Sequence, residues 1–146
     1  EPKYTFKSHS DTETLLYGFI EFGSEILNML NGIFAFSILN KQTNELFIAR
    51  DQFGIKPLYY YSDENLFWFS SEIKSILPLP FNKDVAVESL ENYLTFLYSP
   101  AEKTPFKHVL KLLPGHFIKL EIDNPQNFKI YNYGQGICFK RIKKSR

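Results

Sequence analysis

The residues that could do chemistry in this chain are few, and most are acids at the ends of elements. Asp11 stands in S-D-T-E-T-L-L, immediately before an apolar run with helical spacing. A carboxylate at a helix start is held rigidly, and it could either hold an ammonium group or simply favour the helix N-terminus. Arg50 and Asp51 close the apolar run L-F-I-A, and the loop Q-F-G-I-K-P follows, with Gly54 and Pro57 setting its shape. The pair is expected to form an ion bridge fixing the strand end, since a partly buried Arg needs an acid partner. Glu72 sits in S-S-E at another helix start, where stabilising the helix and touching a neighbouring domain are both open readings. His9, His108 and His116 are too far apart in sequence for a readable metal site. His116, after L-P-G, suits a surface position better than a catalytic one. The single cysteine, Cys138, lies in a basic tail.

These positions are set by a short list of elements. Ser10 with Glu13 forms a capping-box pattern, and Leu15, Leu16, Phe19, Ile20 and Phe22 continue as one helix stopped by Gly23. A short helix is expected over Ser24 to Leu30. Gly32 to Leu39 and Leu46 to Ala49, joined by a polar turn with Asn40 and Asn44, predict a β-hairpin. Both runs are nearly continuously apolar, so both faces of the hairpin are expected to be covered. Strands follow at Leu58 to Tyr61 and Leu66 to Phe69, with a short helix from Ser70 to Leu77 stopped by prolines. Val87 to Leu97 reads as a helix with Leu90, Tyr93, Leu94 and Leu97 on one face. His116 to Ile122 predicts a strand, Asp123 to Asn127 a turn, and Phe128 to Tyr133 a further strand. Hairpin-linked strands with bunched helices define an α+β chain with a mainly antiparallel sheet.

Composition narrows the function. The chain has 146 residues, long enough to bury a core, and 17% are aromatic, which suits packed sheets. A formal net charge of +1 gives no global field for nucleic acid or anionic membrane. Lys140, Arg141, Lys143, Lys144 and Arg146 make a basic tail, read as solvated rather than nucleic-acid binding. One cysteine excludes an internal disulfide framework and fits a reducing, cytoplasmic setting. No apolar run approaches the ~20 residues of a membrane span, and no signal peptide is readable.

The motifs in their order resemble the glutaminase domain of class II glutamine amidotransferases. They are Ser10 to Leu16, L-N-G-I-F-A-F, A-R-D-Q-F-G-I-K-P-L-Y-Y and F-S-S-E-I-K-S-I-L. Y-L-T-F-L-Y-S-P and T-P-F-K-H-V-L-K-L-L-P-G-H are similar to the asparagine synthetase branch, and the resemblance runs from about Tyr4 to about Tyr133. It implies an N-terminal-nucleophile hydrolase sandwich of antiparallel sheets with helical layers, here without its N-terminal part. Residues 1–98 would be the later part of the glutaminase domain. Residues 99–133 would be its end and a linker towards a synthetase domain, and 134–146 a basic tail. It also implies a reaction: a thiolate at the first residue attacks the glutamine side-chain amide, the free α-amine acts as base, and the ammonia released is captured by an acyl-adenylate of aspartate.

The resemblance places Asp11 on the α-amino group of L-glutamine and gives Arg50, Asp51, Gly54 and Glu72 a supporting place beside the pocket or domain interface. Glu1 does not fit the nucleophile's role, Cys138 matches no family nucleophile, and the opening segments would lie before Glu1. The chain alone is therefore expected to hold no catalytic residue and no cofactor. ATP, Mg2+ and aspartate would belong to the synthetase domain. Two other readings remain: a non-catalytic module that binds glutamine or pairs through an open sheet edge, with a second copy of itself among the partners, and an amidotransferase with another acceptor.

Overall fold

The computed structural model describes residues 4–134, so the basic tail and Cys138 lie outside the described residues. The chain divides into two compact units between Gly32 and Ile33.

The first unit is built on α1 (Asp11–Phe22) and a 3-10 helix (Gly23–Asn28). Ser10 caps α1 by accepting a hydrogen bond from the Thr12 amide at 3.2 Å. Glu13 does not close the expected capping box. It reaches further upstream, accepting from the Lys7 amide at 2.9 Å, the Ser8 amide at 2.8 Å and the Ser8 hydroxyl at 2.6 Å. The preceding loop is thereby tied to the helix, and Tyr17 adds rings stacked on Tyr4 and edge-on to Phe6. Gly23 ends α1 with φ +56°, its amide bonded to the Phe19 carbonyl. Gly18 leaves room for Ile26, because a Cβ there would stand 2.7 Å from the Ile26 side chain. Ile26 and Leu27 are the buried residues of the 3-10 helix.

The second unit holds two antiparallel sheets. One has the order β1-β2-β6-β7, from Ala35–Asn40, Glu45–Arg50, His116–Glu121 and Asn124–Asn132. The other has the order β4-β3-β5, from Phe67–Ser70, Tyr59–Ser62 and Val109–Lys111. The hairpin turns are made by side chains: Asn40 accepts from the Gln42 and Thr43 amides, and Asp63 from those of Asn65 and Leu66. Asn44 takes positive φ, which asparagine tolerates.

The sheets meet face to face. Ile48, Ile118 and Leu120 of the larger sheet cluster with Tyr60 of the smaller, together with Leu58 and Leu112. Burying one such aliphatic side chain stabilises by about 1.5–3 kcal/mol. The opposite face of the smaller sheet is covered as well, with Tyr61 and Val109 packed around Ile76. The run Tyr59-Tyr60-Tyr61 thus buries tyrosines on both sides of one strand.

Three expectations are corrected. The hairpin is not covered along both strands: β2 is buried from Phe47 to Arg50, whereas Ser37, Leu39 and Asn40 of β1 are exposed, because β1 ends the strand order. The turn expected at Asp123 to Asn127 is largely strand, since β7 begins at Asn124. It is the other terminal strand of that order, where Pro125 costs no ladder bond. Helix α2 (Val87–Phe96) forms, but Leu94 and Leu97 are 77% and 78% exposed, so the expected apolar face is not its packed one. Its buried residue is Ser89. Strand β5 was not anticipated at all. Residues 99–133 supply β5, β6 and β7.

Candidate functional site

Asp11 is the first residue of α1, exposed, with Ser10 rather than Asp11 serving as the cap. Among the described residues its side chain makes no hydrogen bond or ion pair. Its carboxylate sits beside the amides that a helix start leaves unpaired, where negative charge is favoured.

In the second unit, Arg50, Asp51 and Gly54 come together in a knot of backbone contacts. Arg50 is 8% and Asp51 0% exposed, so each charge needs partners. The Arg50 guanidinium donates to the Lys56 carbonyl at 2.8 Å, the Gly54 carbonyl at 2.5 Å and the Leu112 carbonyl. Asp51 accepts from the amides of Phe53 at 2.8 Å, Gly54 at 2.9 Å and Phe34 at 3.3 Å. The expected ion bridge between the two is not formed. Burial pushes the Arg50 pKa below its ordinary value, and the neighbouring Asp51 charge opposes that.

Gly54 is required on two counts. Its φ is +62°, and a Cβ would stand 2.6 Å from the Pro114 ring and 3.2 Å from the Arg50 guanidinium carbon. The Asp51 carbonyl also accepts from Gly115, and the Gly115 carbonyl from Tyr133 and Gly134. Tyr133 returns its hydroxyl to the Arg50 carbonyl at 2.7 Å, and burial pushes its pKa to about 12. Loop 51–57, the L-P-G turn and the end of β7 are thus one hydrogen-bonded body. With its donors and acceptors engaged on backbone, this knot holds shape and offers no free acid or base.

Lys111 lies close by. Its ammonium donates to the Ser99 carbonyl, and burial followed by the Arg50 charge lowers its pKa. Glu72 is apart from the knot, paired with Lys74 at 2.6 Å with both side chains largely exposed. His116 is held through Nδ1 at 2.8 Å from the Pro114 carbonyl. No cluster of His, Cys, Asp and Glu among the described residues could hold a metal ion. No described helix is long and apolar enough to cross a membrane. Tyr133 and Leu112 escape sequence reasoning, because nothing local marks a tyrosine or a carbonyl as a partner for an arginine 83 or 62 residues away. The paired glycines Gly115 and Gly134 were the available signal.

Comparison with known proteins defines the class. The chain belongs to the glutamine amidotransferase domain family, whose model matches residues 1–133. It is a class II domain related to glutamine-hydrolysing asparagine synthetases. It is 39% identical over 128 residues to asparagine synthetase [glutamine-hydrolyzing] 1 of Bacillus subtilis, covering 88% of this chain and 20% of that protein. It is 34% identical over 134 residues to asparagine synthetase [glutamine-hydrolyzing] 3 of the same organism, covering 88% and 21%. The chain therefore spans about a fifth of the length of these curated relatives. In fold it is similar to the B. subtilis glutamine phosphoribosylpyrophosphate amidotransferase, with TM-score 0.59, 18% identity, and coverage of 92% of this chain and 25% of that one. This likeness bears on the fold alone: α+β with antiparallel sheets, as in N-terminal-nucleophile amidotransferases.

Proposed function

We propose that this chain serves glutamine hydrolysis in a glutamine-dependent asparagine synthetase, helping to bind glutamine so that its amide nitrogen can be passed to aspartate. The observation that carries this reading is the 39% identity over 128 residues to asparagine synthetase 1 of B. subtilis.

Asp11 binds the α-ammonium of glutamine. Its exposure, its rigid place at the start of α1 and its lack of a partner among the described residues support that role. Arg50, Asp51 and Gly54 hold the end of β2 and the loop after it in one shape, as pocket or interface support. The thiolate that attacks the amide and the ATP- and Mg2+-dependent activation of aspartate belong to residues that the motifs of this sequence do not match. The described residues offer no cluster of His, Cys, Asp and Glu that could hold Mg2+.

A chimera tests the role. Residues 4–134 replace the aligned segment of the B. subtilis relative, and asparagine formation is measured with glutamine and, separately, with ammonia. Ammonia-dependent synthesis reports a folded enzyme and bypasses glutamine. Glutamine-dependent synthesis should persist, and Asp11→Asn should raise KM for glutamine by about tenfold or more, as expected for a lost charge-assisted contact, leaving the ammonia reaction alone. A chimera active with ammonia and inactive with glutamine would refute the proposal.

A further inference from the structure

The two sheets present four terminal strands, and three of them discourage a further strand. β5 is three residues long and carries Lys111, β4 is four residues long, and β7 carries Pro125, Lys129 and a register shift against β6. Short length, proline, lysine and irregular register are the devices that protect a sheet edge. β1 has none of them. It runs for six residues, A-F-S-I-L-N, without charge or proline. Among the described residues no strand lies on its outer side.

The phase of the ladder fixes which groups that edge offers. Phe34 stands opposite Asp51 in the continued register of β1 and β2, and its carbonyl accepts from the Asp51 amide at 2.9 Å. In an antiparallel pair the residues that bond to the neighbour alternate along the strand. Phe36, Ile38 and Asn40 therefore bond towards β2, and the amides and carbonyls of Ala35, Ser37 and Leu39 point away from it. Ser37 and Leu39 are exposed.

The outward groups of residues 35, 37 and 39 match a second copy of the same edge. Antiparallel pairing about a two-fold axis at Ser37 sets Ser37 opposite Ser37 and Ala35 opposite Leu39. Every outward amide then meets an outward carbonyl. This register also keeps the two faces of the sheet in step. On one face Phe36 lies opposite Ile38, an aromatic side chain against a β-branched one. On the other, Leu39, 45% exposed, gains the cover of the second copy's Ala35. No charged side chain of β1 meets its like.

We propose that two copies of this chain pair antiparallel through β1, centred on Ser37, so that their four-stranded sheets continue into one another. The inference rests on the sheet order and the ladder phase, and does not depend on the proposed function.

Sedimentation of the chain from about 1 μM to about 1 mM, the affinity range of small interfaces, should show the mass doubling. Ser37→Pro removes an outward amide and no bond to β2, and Ser37→Lys sets like charges opposite each other across the axis. Each should weaken association by about tenfold or more, with the circular dichroism of the sheets retained. Cross-linking checks the register. In a Cys138→Ser background, Ser37→Cys brings two thiols together on Cα atoms about 5.5 Å apart, within disulfide reach. Oxidation should link this variant into a dimer. Ala35→Cys in the same background should stay unlinked, because its two copies fall on opposite sides of the axis. A monomer throughout the concentration range would overturn the proposal. So would association that neither Ser37 substitution weakens, or oxidation that links Ala35→Cys rather than Ser37→Cys.

Discussion

Arg50 and Asp51 are adjacent, oppositely charged and buried, yet they hold Gly54 jointly rather than each other. Asp51 takes the Gly54 amide at 2.9 Å, and Arg50 donates to the Gly54 carbonyl at 2.5 Å. The two charges clamp both ends of one residue's backbone. Removing either leaves the other buried with part of its purpose gone. Arg50→Lys replaces a planar fork with a point charge that cannot reach three carbonyls in three directions. It should cost about 2–4 kcal/mol in urea unfolding. Asp51→Asn puts an amide donor against amides and should cost about 1–3 kcal/mol.

Gly54→Ala places a methyl group against the Pro114 ring at positive φ. The destabilisation should be about 2–4 kcal/mol, because strain and overlap add. Pro114→Ala in the same chain removes the closest overlap, with the ring Cγ at 2.6 Å, but not the backbone strain. The double variant should therefore recover part of the loss in a double-mutant cycle.

Glu13 gives α1 an acid-sensitive start. The Ser8 hydroxyl, then the Lys7 amide, hold its pKa below the ordinary glutamate value. A carboxylate whose folded pKa is depressed stabilises above the ordinary glutamate range, and the contribution is lost as pH falls through the folded value. The protection of the Lys7 and Ser8 amides, measured as exchange relative to the intrinsic rate at each pH, should fall across that acid window. Glu13→Gln should abolish the pH dependence.

Tyrosines set the alkaline limit. Burial pushes Tyr60 and Tyr133 to about 12, and the hydrogen bond to Asp63, at 2.6 Å, pushes Tyr61 to about 12. Raised pKa values mean that the folded chain holds these protons more tightly than the unfolded one. The stability they confer is intact below about pH 10, the ordinary tyrosine value, and lost as pH rises towards about 12. Tyrosinate absorbance should show late titration and unfolding together. Tyr61→Phe should remove one late-titrating group.

Glu72→Ala should leave the unfolding midpoint unchanged. Its pair with Lys74 is exposed on both sides, and such pairs contribute little. A clear loss of stability would mean that Glu72 supports the fold in a way its contacts do not display.

Local chemistry was legible in the sequence. The cap at Ser10, the stop at Gly23, the Asn40 and Asp63 turns and most of the strands follow from side chains acting within a few residues of themselves. The motif order likewise pointed to the amidotransferase family that residues 1–133 match. Pattern reading went astray where an element's neighbours decide its exposure. The apolar residues of α2 and the continuous apolar run of β1 carry no mark of what lies beside them, and Leu94 and Leu39 lack the cover that the pattern implies. Strand β5 is three residues long, too short for a period to register.

The amino-acid order by itself determined turns, caps and family, because each depends on bonds that close over short stretches of chain. Tertiary structure alone decided that Arg50 and Asp51 bind backbone instead of each other, and that Ser89 is sealed without a partner among the described residues. Those outcomes depend on which distant carbonyl or apolar wall arrives alongside: Leu112, beyond the end of a strand of the other sheet, accepts from Arg50, Tyr133 donates to the Arg50 carbonyl, and Phe106 and Leu110 line one cavity with Ser89. The energy of a buried polar group depends on everything around it, and only the folded chain brings those surroundings together.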